Sequence, residues 1–230
     1  MYSNKSEKTK ENRIIRVLIL TDSLGCPREE TNVVNTWTDR ILRKWSSNNL
    51  IFYTKCTHGL SAKDINISDI CELEPDIVFC QIGIVDACRN VWTEREFRCI
   101  SSIPGVSRLI RWFSRKYHYN LTKLRNVHST SLEDFQKKLQ EMIITCPKTA
   151  FYFIAIAKPG AFLQNITYHS VEDSIEYDNI LRELKNPKGA YLNPYEDYED
   201  SNHYVLPSDG HHLNELGLDL VFHAVDDILE

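Results

Sequence analysis

The sequence predicts an α/β protein, a three-layer α/β/α sandwich on a small central parallel sheet. Three observations carry that expectation. Short, continuous apolar runs rich in β-branched residues recur along the chain, as strands buried on both faces require. Between them lie segments whose apolar residues are three and four apart, the spacing of one helix face. Strands alternating with helices favour a parallel sheet covered on both sides.

The elements follow in order. Arg13 to Leu20 (RIIRVLIL) reads as the first strand and stops at Thr21-Asp22-Ser23-Leu24-Gly25. Thr31 to Trp45 places Val33, Val34, Trp37, Ile41, Leu42 and Trp45 at helical spacing. Leu50 to Thr54 is the second strand and Asp76 to Ile82 (DIVFCQI) the third. A helix follows at Leu132 to Ile144, a fourth strand at Ala150 to Ala157, a helix at Val171 to Leu184, and a closing amphipathic helix at Leu213 to Leu229. No repeat or linker divides residues 13–230, which read as one domain behind a polar, Lys-rich tail at 1–12.

Two stretches depart from simple alternation. Phe97 to Leu132 holds no Asp or Glu but carries Arg98, Arg108, Arg111, Arg115, Lys116, Lys123 and Arg125. Within it Val106, Leu109, Ile110, Phe113 and Tyr117 form an apolar helical stripe with the basic residues mostly opposite. A basic helical insertion at about 97–130 is expected, either a solvated surface helix or a cap offering positive charge to an anionic substrate or membrane surface. Asn186 to Asp200, with Pro187, Gly189, Pro194 and an acidic cluster from Glu196 to Asp200, reads as a solvated loop.

Composition excludes several classes. No apolar run approaches the ~18 residues that span a bilayer, and the short run after the tail lacks signal-peptide length and cleavage context. Seven cysteines without Cys-x-x-Cys spacing point to a reducing, cytoplasmic address, in which the sequons at Asn4, Asn66, Asn120 and Asn165 are chance. A net charge of −5 argues against nucleic-acid binding. There is no phosphate-binding Gly-rich loop, no dinucleotide fingerprint and no Gly-x-Ser-x-Gly elbow, so no cofactor is expected. His58, His203, His211 and His212 match no standard zinc spacing, and no metal site is expected.

In an open parallel sheet, ligands bind beyond the carboxyl ends of the strands. Three groups fall there: Ser23 with Asp22 and Gly25, Gly83 with Asp86, and Asp209-Gly210-His211-His212 just before the last helix. Serine becomes a nucleophile only when a neighbouring base takes its proton, and that base needs an orienting acid. Asp209 and His212, three apart at a loop-to-helix junction, can sit side by side on one turn. Their approach to Ser23 depends on tertiary structure.

Here the sequence resembles the SGNH (GDSL-type) hydrolases. Asp22-Ser23-Leu24 matches the family's first block, with Thr21 where Gly is usual. Asp209-Gly210-His211-His212 matches the last block, Gly59 in Thr57-His58-Gly59 fits the second, and Gly83 to Asp86 occupies the third. The resemblance runs from Leu18 to Leu229 and implies an SGNH-hydrolase, flavodoxin-like sandwich. It implies Ser23 as nucleophile, His212 as base, Asp209 as its orienter, and an oxyanion hole from the backbone N–H groups of Ser23 and Gly59. In the third block Val85 stands where the family places an oxyanion-hole Asn, and losing one such donor typically costs about 2.7–4 kcal/mol in the transition state. Arg89 or Asn90 can supply a replacement donor. Asp22, Arg28, Gly83 and Asp86 are further candidates for substrate contact, with Arg28 equally suited to a salt bridge and Asp86 to a structural role.

The run Gln81 to Asp86 followed by Arg89 also resembles a subgroup associated with bacterial surface-polysaccharide assembly. The expected function is therefore a serine esterase or deacylase acting on an O-acyl ester of a carbohydrate or glycoconjugate. A sugar O-acyltransferase would use the same residues. A non-catalytic carbohydrate-binding protein is the reading that Val85 favours, and an enzyme docked on an anionic membrane surface is a third. The oligomeric state is not legible.

Overall fold

The computed structural model describes residues 13–46, 49–103 and 106–230 of the 230, with the side chain of Val106 outside that description, as is the tail at 1–12. Five strands form one parallel sheet: β1 (Ile15–Thr21), β2 (Leu50–Cys56), β3 (Ile77–Gln81), β4 (Ala150–Ile154) and β5 (Ala190–Leu192). Their order is β2-β1-β3-β4-β5, the flavodoxin-like arrangement. Among the described residues ten α-helices accompany them: α1 (Trp37–Trp45), α2 (Ile67–Leu73), α3 (Ile84–Ala87), α4 (Glu94–Ser101), α5 (Val106–Lys116), α6 (His118–Arg125), α7 (Leu132–Thr145), α8 (Ala161–Ile166), α9 (Ser170–Glu183) and α10 (Glu215–Leu229).

The chain leaves β1 in one direction to form β2 and returns across β1 to form β3. Right-handed crossovers therefore put α1 and α2 on opposite faces of the sheet. α10 packs on α1, while α2, α7 and α9 make up the other layer. β1 lies between β2 and β3 and under both layers, which is why Val17, Leu18, Ile19 and Leu20 are all buried.

Three expectations change. The helix expected from Thr31 begins at Trp37. A single 3-10 turn, Val33–Asn35, precedes it, and Thr36 then turns to extended backbone and caps α1 by accepting the Asp39 N–H at 3.2 Å. Val33 and Val34 are therefore half-exposed rather than part of the helix face. The segment expected to be loop from Asn186 to Asp200 contributes the edge strand β5, whose neighbour β4 is also braced by Asn186 Nδ2 donating to Phe151 O. Three residues are too few to display alternation, so no pattern marked it. Finally, the insertion is three helices, α4 to α6, and most of the described apolar stripe is uncovered, Ile110 alone being partly buried. Leu109 is 66% exposed, Phe113 and Tyr117 are exposed as well, and Trp112, outside the stripe, is 55% exposed.

Trp37 illustrates what holds the frame. Its ring is fully buried and its Nε1–H donates to Gln81 Oε1 at 2.9 Å, tying α1 to the end of β3. Trp37→Ala is expected to cost about 3–5 kcal/mol, the range for emptying a large aromatic site. Trp37→Phe keeps most of the volume but leaves the Gln81 carbonyl only the long 3.5 Å contact of the Thr21 hydroxyl, and should cost about 1–3 kcal/mol. Urea unfolding of both variants checks the order.

Spacing gave no hint of paired cysteines, yet Cys71 on α2 and Cys146 at the end of α7 bring their sulfurs to 2.7 Å. Among the described residues no helix is long and apolar enough to cross a membrane.

Candidate active site

The turns after β1, β2 and β3 leave the sheet together. Thr21 pairs with Cys56 on one side and Gln81 on the other, and Asp22 N–H to Gln81 O and Thr57 N–H to Thr21 O extend both ladders by one step. This is where strand order reverses, the crevice in which open α/β sheets bind ligands. Ser23 opens a single 3-10 turn there, and the turn is held by Asp22 Oδ1, which accepts the Leu24 N–H at 2.9 Å.

The partner loop lies just before α10. Asp209 Oδ1 accepts the backbone N–H groups of His211 and His212, both at 3.0 Å, so the Asp-x-x-His segment closes into one compact turn. That turn sets Asp209 Oδ2 2.6 Å from His212 Nδ1, and His212 Nε2 2.9 Å from Ser23 Oγ. A carboxylate only accepts, so Nδ1 carries the proton and Nε2 presents its lone pair to the serine hydroxyl. Arg28 braces both halves: it donates to Ser23 O at 2.8 Å and stands 3.9 Å from Asp209 Oδ2.

Electrostatics favour a neutral base beside an ionised acid. Burial, the adjoining His211 ring and the Arg28 charge push His212 down to about 4, against the pull of Asp209. Burial raises Asp209, but the N–H donors of His211 and the ring and N–H of His212 more than reverse this, to about 2. His211 is lowered too, chiefly by burial, and its ring centroid lies 3.8 Å from that of His212. Asp209, His211 and His212 hold their ligand-type atoms within 4.8 Å of one another, but both His212 nitrogens are already in the hydrogen-bond chain. His58 and His203 stand outside that group.

Gly59 lies on the turn after β2 at φ +70°, a conformation that side chains rarely adopt. Among the described residues, the backbone N–H groups of Ser23 and Gly59 have no intramolecular acceptor. Val85 is half-buried against the core and brings no donor.

Several candidates for substrate contact are placed elsewhere. Gly83 is buried at φ +119°, turning β3 into α3, and an added Cβ would meet Ile156 Cδ1 at 2.5 Å. Asp86 has no exposed surface; its two oxygens receive the Ala62 N–H at 3.2 and 3.1 Å and so anchor the loop just past Gly59. Arg89 forms a two-bond ion pair with Asp173 on α9, at 2.6 and 2.9 Å, and is not free to serve an oxyanion. Asn90 bridges to Val127 and donates its side-chain amide to Ser129 Oγ at 3.0 Å. Sequence reasoning assigned no role to Gln81, which joins Trp37, Thr21 and Tyr195 beneath the site; a lone amide in an apolar run was its only signal.

Asp22 is also buried and touches no solvent, and its Oδ2 has no partner. Burial first, opposed by the Leu24 N–H and joined by Asp86, raises its carboxyl to about 7. The folded state therefore holds a proton that the unfolded chain has lost above its ordinary value of 3.8. The resulting stability is fully present below 3.8 and falls away as pH rises towards 7, a change of roughly 4 kcal/mol at most. Asp22→Asn does not titrate and keeps the cap oxygen. Its stability relative to wild type should rise by about 2–4 kcal/mol between pH 4 and pH 7.5, read from urea midpoints at each pH. A flat difference would remove the buried proton from the account.

No family model matches the chain, and no curated protein sequence matches it. Solved structures do. A lipase/acylhydrolase from Enterococcus faecalis is 13% identical with a TM-score of 0.60, covering 94% of this chain and 95% of its own. The acetyl xylan esterase AlAXEase is 16% identical at a TM-score of 0.61, covering 94% and 100%. An acetylxylan esterase from Geobacillus stearothermophilus is 12% identical at 0.57, covering 92% of each. The likeness spans nearly the whole length and is one of fold: the chain has the α/β architecture of the GDSL (SGNH) hydrolases.

Proposed function

We propose that this protein is a serine esterase that removes O-acyl groups from a carbohydrate or glycoconjugate. The observation that carries the reading is the unbroken chain from Ser23 Oγ through His212 to Asp209, at 2.9 and 2.6 Å. Ser23 attacks the ester carbonyl while His212 Nε2 takes its proton, and Asp209 steadies the imidazolium. The N–H groups of Ser23 and Gly59 receive the oxyanion. His212 then protonates the departing alkoxide, leaving acyl-Ser23. Water, deprotonated by the same nitrogen, releases the acid and restores the serine. A sugar hydroxyl in place of that water would make the same residues an acyltransferase. The esterases among the fold neighbours support ester chemistry, and the two acetylxylan esterases support a sugar-borne ester.

Labelling with a fluorophosphonate probe tests the reading. Intact mass should show one adduct on wild type and none on Ser23→Ala or His212→Ala. No adduct on a folded wild type would favour the carbohydrate-binding alternative, which Val85 supports by leaving the oxyanion hole one side-chain donor short.

The exposed row Leu109, Trp112 and Phe113 beside Arg108 and Lys116 on α5 favours a second contact, with an anionic membrane surface. Co-sedimentation with vesicles should rise with anionic lipid and fall with salt; indifference to both would end that idea.

A further inference from the structure

A cleft of about 810 Å³ opens between the insertion helices and the turn that carries Gly59. Its charge is unlike that of the rest of the molecule. Lys63, Arg95, Arg98, Arg111 and Arg115 line it against only two carboxylates, Asp64 and Glu94, in a chain whose net charge is −5. Glu94 is already engaged by Lys63 at 3.3 Å and Arg98 at 2.6 Å. Arg95, Arg111 and Arg115 have no carboxylate partner among the described residues. A concave wall bearing one sign of charge focuses the field into the space it encloses, and guanidinium forks match the geometry of carboxylate and phosphate oxygens.

The helix that presents two of these arginines is itself placed by the fold. Ser114 on α5 accepts the Trp92 Nε1–H at 2.8 Å, so α5 is tied across the cleft to the segment that follows α3. Residues 107, 110, 111, 114 and 115 then share the inner side of α5, while Leu109 and Trp112 face out. At the other end the cleft reaches Gly59, on the turn adjoining that of Ser23.

We propose that this cleft holds the anionic part of the ester substrate, a carboxylate or phosphate carried by the sugar, and so presents the acyl group at Ser23. The proposal rests on the esterase reading and names its substrate class: an O-acylated acidic sugar. Arg111 and Arg115 are its selectivity residues, with Arg95 on the facing helix. Neutral acyl sugars reach the same serine without this hold.

The experiment compares kcat/KM for three acetate esters: acetylated methyl glucoside, acetylated glucuronic acid and acetylated glucose 1-phosphate. Wild type should prefer at least one acidic ester over the neutral one by roughly tenfold or more, the size of one or two charge-assisted contacts. Which acidic ester wins tells carboxylate from phosphate. In Arg111→Gln/Arg115→Gln the acidic-to-neutral ratio should fall towards one, mainly through KM, and Arg111→Lys/Arg115→Lys should restore part of it. Added salt should erode the wild-type ratio. A wild-type ratio near one, or a ratio unchanged in the glutamine variant, overturns the proposal.

If wild type cleaves none of the esters, the esterase reading fails instead, and titration calorimetry still reads the cleft. Tetragalacturonate should then bind in a salt-sensitive way that the glutamine variant loses, and maltotetraose should not. Equal binding of both, or of neither, rejects the anionic cleft on its own.

Discussion

Replacing His212 with alanine is expected to lower kcat for ester hydrolysis by roughly four to six powers of ten, and Ser23→Ala to do the same. The double variant should be no worse than either single one. The reason is that the two side chains form one device: at 2.9 Å, the imidazole makes the serine oxygen nucleophilic only as it accepts that oxygen's proton. Remove either partner and the other has nothing to do, so the second loss is free. What remains is the background supplied by the backbone N–H groups and by binding. Hydrolysis of 4-nitrophenyl acetate, with circular dichroism melts to show that each variant folds, supplies the measurement. Losses that simply add would mean that the two residues act separately. The same assay carries a pH signature. Because burial and the neighbouring His211 and Arg28 charges hold His212 down to about 4, the neutral base persists far into acid. The acid limb of kcat/KM should therefore fall well below the ordinary histidine value of ~6.5.

Asp209→Asn is the second large effect, expected near ten-thousand-fold in kcat with little change in fold. Oδ1 of this carboxylate accepts two backbone N–H groups, so an asparagine would place its oxygen there and keep the turn. Its amide nitrogen then falls at the position of Oδ2, 2.6 Å from His212 Nδ1. A donor at that point favours the ring with Nδ1 bare and the proton on Nε2, where it can no longer accept from Ser23. A tautomer trapped the wrong way round typically costs about 10⁴. Nitrogen-15 chemical shifts of the ring report the tautomer directly. An Asp209→Asn protein with wild-type shifts and wild-type rate would show that the carboxylate only shapes the loop.

How much of this was legible beforehand depends on the range of the interactions involved. β1, β3 and β4 are continuous apolar runs because both their faces are covered, and that pattern is local. The helices at Leu132–Thr145, Ser170–Glu183 and Glu215–Leu229 likewise carry their burial in their own spacing, and their ends fall within one or two residues of expectation. Asp209 and His212 are neighbours on one turn, so their pairing was readable; their meeting with Ser23 required the family resemblance. What failed to show was settled at a distance. Arg89 looked free until Asp173, 84 residues on, claimed it. Asp86 suited a structural role from the start, but its partner, the Ala62 N–H, lies on a different loop and could not be read locally. The stripe on α5 has the spacing of a buried face, and spacing alone cannot say whether anything covers it.

The sequence separation of 189 positions from Ser23 to His212 gives the protein a history as well as a shape. The proposed nucleophile is made first, on the turn that follows β1, and its proposed base arrives only with the loop before α10. At roughly 5–20 residues per second on a ribosome, ten to forty seconds separate the two. During that interval β1 to β4 can already pair beside that serine, yet without its partner the serine is chemically ordinary. On the proposed reading, reactivity switches on only once the Asp209–His212 loop has been made and folded, so a copy that stops short of that loop does not display an activated nucleophile.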